Sequence, residues 1–195
     1  WLWPAEYGIS ADVDSPLDPQ HWIDVLATSI EAACETHELP MPQVIIEPGR
    51  SIAGPAGVAV YTIGARKELP GLRTYVSVDG GMADNIRPAL YDASYTAVIA
   101  NMNKDSETES VTVAGKYCES GDILIDRIDL PSPKEGDLLA IPAAGAYCLA
   151  MASNYNMALR PAVLMVRDGS ATVIRRRESF ADLIRLDNPV WLQEA

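Results

Sequence analysis

Basic residues are scarce in this chain. Fifteen Lys and Arg stand against 27 Asp and Glu in 195 residues, a net charge of −12, which repels a nucleic-acid backbone unless the cations gather on one face. The one basic run, Arg175-Arg176-Arg177, falls in an apparent strand and alternates between its faces. No apolar run nears the ~20 residues that span a bilayer, and no charged stretch followed by an apolar one opens the chain. A soluble, cytoplasmic protein is expected, with no membrane or nucleic-acid partner. Cysteine is limited to Cys34, Cys118 and Cys148, far apart and without metal-ligand spacing. An odd count is a poor disulfide framework, so reduced thiols and no metal site are expected. Histidine is limited to His21 and His37, flanking the first helical stretch and read as surface residues. The chain begins Trp1-Leu2-Trp3-Pro4 rather than with Met, and reads as a piece of a longer protein.

What is present suffices for a globular fold, since 48% of the residues are hydrophobic. From Pro19 to about Thr36 the apolar residues Trp22, Val25, Leu26, Ile30 and Ala33 recur at three and four, behind Asp18 as a cap. That spacing predicts an amphipathic helix. After the Pro40-Met41-Pro42 break, Val44 to Glu47 reads as a short, wholly apolar strand, the pattern of a parallel βα barrel whose chemistry sits at the carboxyl ends of its strands. Beyond Ser51 the texture changes to short β runs at Gly57–Ile63, Thr74–Val78, Ser110–Ala114, Leu138–Ile141, Ala162–Val166 and Ala171–Arg176, predicting an antiparallel β domain. Asp168-Gly169 between the last two is a hairpin signal. Gly145 to about Asn154 and Ser179 to Leu186 read as helices, the second capped by Ser179 with Asp182 three residues on. Asn103–Ser110 is a polar loop.

Two motifs carry chemistry. Glu47-Pro48-Gly49-Arg50 ends the apolar run Val44-Ile45-Ile46. Pro48 biases Glu47 toward extended backbone, Gly49 lets the main chain approach an anion, and Arg50 offers a forked guanidinium suited to phosphate or carboxylate. A carboxylate beside them is placed to hold a pyridine nitrogen protonated, so the pattern points to pyridoxal phosphate. Cys118-Glu119-Ser120-Gly121-Asp122 lies between two strand-like stretches, where an exposed thiol beside a carboxylate can deliver a proton.

Together with Asp79-Gly80-Gly81, Asp84-Asn85-Ile86-Arg87-Pro88-Ala89-Leu90-Tyr91 and Gly145-Ala146-Tyr147, in that order, these motifs resemble the diaminopimelate decarboxylases, pyridoxal-phosphate enzymes of the alanine-racemase-like fold. The likeness runs from about Ser15 to Asn188. It implies decarboxylation of meso-diaminopimelate to L-lysine, the last step of lysine biosynthesis. It implies that Glu47, Gly49, Arg50 and Tyr147 meet the cofactor, and that Arg50, Arg87, Tyr91, Glu119 and Tyr147 bind substrate. Cys118 would be the catalytic proton donor, acting with Glu119 in the site of a second subunit, which requires a homodimer. Arg87 with Tyr91, four apart on a helical turn, would read the distal carboxylate. Ornithine and arginine decarboxylases of the same fold share the Glu47–Arg50 and Gly145–Tyr147 patterns, but carry Cys-Asp where this chain has Cys118-Glu119.

The resemblance also exposes gaps. The family's Schiff-base lysine and ring-stacking histidine have no counterpart, Lys67, Lys104, Lys116 and Lys134 all lying in β-domain contexts. Where a glycine triplet would precede Tyr7-Gly8-Ile9, the chain has Trp3-Pro4-Ala5-Glu6. The expected architecture is therefore mainly β with an α/β remnant. Residues 1–52 are the last βα portion of a TIM-type barrel, and residues 53–195 an antiparallel β-barrel or sandwich. Such a lone βα unit is expected to leave Trp22, Val25 and Ile45 exposed or repacked, and the chain alone to be inactive. The alternatives are a decarboxylase of the same fold acting on ornithine or arginine, and a non-catalytic β-domain binding partner.

Overall fold

The computed structural model describes residues 19–102 and 107–188. Asp18, the Trp1–Tyr7 region and Lys104 lie outside the described residues. Helix α1 (Pro19–Thr36) forms where the three-and-four spacing predicts it. Its apolar stripe stays open to solvent, with Trp22 52% and Val25 44% exposed, and Ile45 is 79% exposed, so of the two expected outcomes these residues are exposed rather than repacked.

The strand expected at Val44–Glu47 is not formed. A parallel strand needs a hydrogen-bonded neighbour on at least one side, and among the described residues none lies beside this segment. It runs instead as irregular chain into the single-turn helix α2 (Gly49–Ala53).

The remainder is organised by a six-stranded sheet built from β1 (Ala59–Leu69), β2 (Arg73–Val78), β3 (Val98–Ile99), β4 (Thr108–Ala114), β5 (Ile123–Pro131) and β6 (Leu138–Ile141), in the order β3-β6-β1-β2-β4-β5. The edge strands β3 and β5 approach one another, so the sheet curls into a nearly closed barrel. Its inward residues, among them Ile63, Val76, Val113, Leu124, Leu130, Leu139 and Ile141, are all within 2% of full burial. Within β1 the register slips between Ile63 and Arg66. Ser77 satisfies the slip, its hydroxyl accepting from the Ala65 N–H at 2.9 Å and donating to the Ala65 carbonyl at 3.1 Å.

One expectation about this sheet is corrected. β2 and β4 run parallel, so the domain is mixed rather than wholly antiparallel. The chain leaving β2 passes through helix α3 (Arg87–Tyr91) and β3 on the opposite edge before returning beside β2, and so long a connection permits a parallel re-entry that a hairpin forbids.

A separate ribbon, β7 (Val163–Arg167) with β8 (Ser170–Arg175), is joined by Asp168-Gly169, both at positive φ (50° and 74°), the two-residue turn that Asp-Gly favours. β8 ends at Arg175, so Arg176 and Arg177 lie beyond the strand. Helix α4 (Phe180–Ile184) carries the full capping box of Ser179 and Asp182. The helix expected at Gly145–Asn154 is instead one 3₁₀ turn, Leu149–Met151, with a second, Tyr155–Met157, just beyond it. Tyr147, Asn156 and Met157 sit at φ of 60°, 51° and 59°, left-handed conformations that interrupt an α-helix whatever the alanine content.

Candidate active site

Two surface loops and one short helix bring the motif residues together. α2, which carries Arg50, docks onto the Gly145 turn by main-chain bonds. The Gly145 N–H donates to the Gly54 carbonyl at 3.0 Å, and the Ala144 N–H to the Gly57 carbonyl at 2.9 Å. The approach is so close that a Cβ on Gly145 would collide with the Ala53 carbonyl oxygen, and one on Gly57 with the Gly145 main chain. Glycine at both positions is therefore dictated by geometry. Tyr147 follows in a left-handed conformation and is 48% exposed. A non-glycine residue held there costs of order 1–3 kcal/mol, and such strain is concentrated at binding sites.

Arg87, at the start of α3, reaches the same turn. Its guanidinium carbon lies 6.0 Å from the Tyr147 ring and 5.9 Å from the Tyr95 ring, and its Nη1 donates to the Tyr95 hydroxyl at 2.9 Å. The Tyr95 hydroxyl in turn lies 3.5 Å from the buried Cys148 sulfur. Burial pushes both the Tyr95 hydroxyl and the Cys148 thiol above their ordinary ranges, so both are neutral at physiological pH. Tyr91, four residues from Arg87 on α3, does not share this contact and is 59% exposed.

The second loop, residues 115–122, joins β4 to β5 as expected of the Cys118 motif. Cys118 and Glu119 are exposed, and Glu119 accepts from the Gly121 N–H and the Ser120 hydroxyl, each at 3.3 Å. Asp122 fixes the loop. This buried carboxylate accepts the Met82 N–H at 2.7 Å and the Tyr117 N–H at 2.8 Å, and thereby ties the loop to the Gly81 turn that leads into α3. The Lys116 N–H adds a bond to the Gly80 carbonyl at 3.0 Å. Burial raises the carboxyls of Asp122 and Asp84, and with the nearby Asp84 and Asp122 charges it pushes the Tyr117 hydroxyl up to about 12.

Arg50, Arg87, Tyr147 and the Cys118 loop are thus all fastened to one framework. Tyr95, Cys148 and the clamping role of Asp122 were not legible beforehand. Asp122 lay within a recognised motif, whereas nothing in the spacing singled out Tyr95 or Cys148. Among the described residues Glu47, Arg50 and Arg87 form no ion pair, and no cluster of metal-ligating side chains occurs.

The pyridoxal-dependent decarboxylase C-terminal sheet domain, as a family model, matches residues 13–145. The chain belongs to that family. Diaminopimelate decarboxylases from Synechocystis sp. and Bacillus subtilis are each 48% identical to this chain, over 89% and 90% of it. It spans 37% and 40% of those relatives' own lengths. The crystal structure of diaminopimelate decarboxylase from M. jannaschii in complex with L-lysine superposes with a TM-score of 0.74 at 36% identity, covering 84% of this chain and 38% of that one.

The Glu47–Arg50 segment carries groups that could hold a pyridoxal phosphate. Arg50 is an exposed forked cation and Glu47 an acid three residues away, neither in an ion pair among the described residues, and among these residues nothing stands within 4 Å of where a Gly49 side chain would be. The fit is chemical: a cation that could meet a phosphate, an acid that could meet a pyridine nitrogen, and main chain open to approach.

Proposed function

We propose that the full-length polypeptide carrying this chain decarboxylates meso-2,6-diaminopimelate to L-lysine and CO₂. The observation that carries the reading is the pair of cations. Arg50 and Arg87 stand on separate elements, each without an acidic partner among the described residues, one serving a cofactor phosphate and the other a carboxylate at the far end of the substrate. A basic amino acid without that carboxylate would leave Arg87 unmatched, at a cost of about 1.5–3 kcal/mol. The naming of the relatives supports the same substrate.

Pyridoxal phosphate, when bound, supplies the electron sink for loss of CO₂. Glu47, Gly49, Arg50 and Tyr147 would hold it, the Glu47 carboxylate suiting the pyridine nitrogen and the Arg50 guanidinium and Tyr147 hydroxyl the phosphate. Arg50, Arg87, Tyr91 and Tyr147 orient the substrate carboxylates, and Glu119 pairs with the distal ammonium. The Cys118 thiol hands its proton to the carbon that has lost CO₂. The exposure of Cys118 and Glu119 on a rigid loop suits presentation to the site of a second subunit, so the enzyme is a homodimer, acting in the cytoplasm. Residues 1–52 complete its cofactor-binding barrel, and residues 53–195 form the sheet domain. The lysine that anchors the cofactor has no counterpart in this chain, and its 195 residues alone are inactive.

The test is lysine and CO₂ release by the full-length protein supplied with pyridoxal phosphate and meso-diaminopimelate. Product formation abolished by Cys118→Ala and Arg87→Ala supports the reading. Bound cofactor with turnover only of ornithine or arginine would replace it with a same-fold decarboxylase of different substrate.

A further inference from the structure

We propose that Tyr95 is the positioning residue for Arg87, with Cys148 fixing Tyr95 in turn, and that this neutral relay sets the preference for a substrate ending in a carboxylate. The inference rests on the function proposed above and goes beyond it in naming what holds the selecting cation in place.

The argument begins with the fork. An arginine binds a carboxylate side-on through Nε and Nη2, or end-on through both Nη atoms. Here Nη1 is engaged by the Tyr95 hydroxyl at 2.9 Å, which leaves the Nε–Nη2 edge as the face available to a ligand. The long side chain has many rotamers to lose, and a bond at one Nη, with Tyr147 and Tyr95 rings at 6.0 and 5.9 Å, removes much of that freedom before substrate arrives. Binding then meets a preorganised edge.

The chemistry of the anchor matters as much as its position. A carboxylate at residue 95 would hold Arg87 equally well and cancel its charge, leaving nothing to attract a substrate anion. A phenol accepts the bond and stays neutral. Its own proton needs a partner, and the Cys148 sulfur stands at 3.5 Å, buried, with no carboxylate bonded to it among the described residues. The chain Arg87–Tyr95–Cys148 therefore fixes orientation at both ends without adding negative charge.

The experiment uses the full-length holoenzyme. Tyr95→Phe keeps the ring and removes only the hydroxyl, and Cys148→Ser keeps a hydrogen-bonding group that Cys148→Ala lacks. Steady-state kinetics are measured with meso-diaminopimelate and with the lysine enantiomer that matches the reacting carbon but lacks the distal carboxylate. Tyr95→Phe is expected to raise KM for diaminopimelate about tenfold with kcat within threefold of wild type. It should also cut the ratio of kcat/KM between the two substrates about tenfold and leave the cofactor absorption spectrum unchanged. Cys148→Ser should retain the wild-type ratio, and Cys148→Ala should lower it two- to threefold. If Arg87→Ala destroys the preference while Tyr95→Phe leaves KM and the ratio within twofold, the relay is refuted and the proposed function stands. A wild type that turns over no diaminopimelate refutes both.

Discussion

Replacing Asp122 should loosen the Cys118 loop before it unfolds anything else. The carboxylate is 3% exposed, and its two oxygens each accept one main-chain N–H, from Met82 at 2.7 Å and from Tyr117 at 2.8 Å. The packing around it is equally specific, since a Cβ on either Gly81 or Gly115 would collide with this carboxylate. Asp122→Ala leaves two shielded N–H groups without an acceptor. Each unsatisfied donor costs about 1–3 kcal/mol, so a loss of about 2–6 kcal/mol is expected, less whatever water recovers by entering the vacated space. Asp122→Asn should be milder, about 1 kcal/mol, because two effects oppose each other. One N–H then faces an amide NH₂ instead of an oxygen, but the burial that pushes the Asp122 carboxyl up no longer penalises a charge. Urea unfolding midpoints at constant m would measure both. Amide exchange at residues 115–122 would show whether the loop opens ahead of the sheet. Midpoints for Asp122→Ala within 0.5 kcal/mol of wild type, with unchanged exchange, would refute the clamp.

Further expectations concern the two other joints of the molecule. Gly145→Ala must push α2 away from the turn, and overpacking of this kind costs about 1–3 kcal/mol. Its signature in the full-length protein is weaker pyridoxal phosphate binding, measured by absorbance titration, with the melting of the sheet little changed. Glu178 accepts from the Arg160 N–H at 2.9 Å, from Asn154 Nδ2 at 2.7 Å and from Arg160 Nη1 at 3.0 Å, and these bonds, led by the Arg160 N–H, hold its carboxyl below the usual glutamate range. A carboxyl lowered on folding stabilises above its unfolded value, and that contribution is lost as pH falls below about 4.3 through the folded value. Glu178→Gln should therefore cost about 1–2 kcal/mol at neutral pH and progressively less as pH falls through the folded value, read from paired denaturation curves.

Where a signal was local, the sequence carried it faithfully. Asp168-Gly169 adopts the positive-φ turn its residues favour, and Ser179 with Asp182 closes the capping box, because both devices are complete within four residues. The failures share a different cause. Val44–Glu47 has strand composition, but a strand is made by its neighbours, and none adjoins it among the described residues. Gly145–Asn154 has helical composition, but the main chain of Gly145 is spoken for by Gly54 and Ala53, and Tyr147 is forced left-handed just after it. The parallel pairing of β2 with β4 depends on where a long connection returns, which no window of residues encodes.

The same reasoning separates Tyr91 from Tyr95. Spacing of four on a helix argues for Arg87 and Tyr91 as a pair, and α3 does span both. The helix stops there, however, at Asp92 with φ of 50°, whose N–H bonds back to the Arg87 carbonyl. A left-handed residue at that point turns the chain back across its own helix. Tyr95 is thereby delivered to Nη1 of Arg87, while Tyr91 remains in solvent. Helical periodicity assumes that the helix continues. Here the residue that ends it also chooses the partner of Arg87, so the side chain that orients the cation from within this chain lies eight positions away rather than four. Tyr91, left outward, is free to meet what comes from solution.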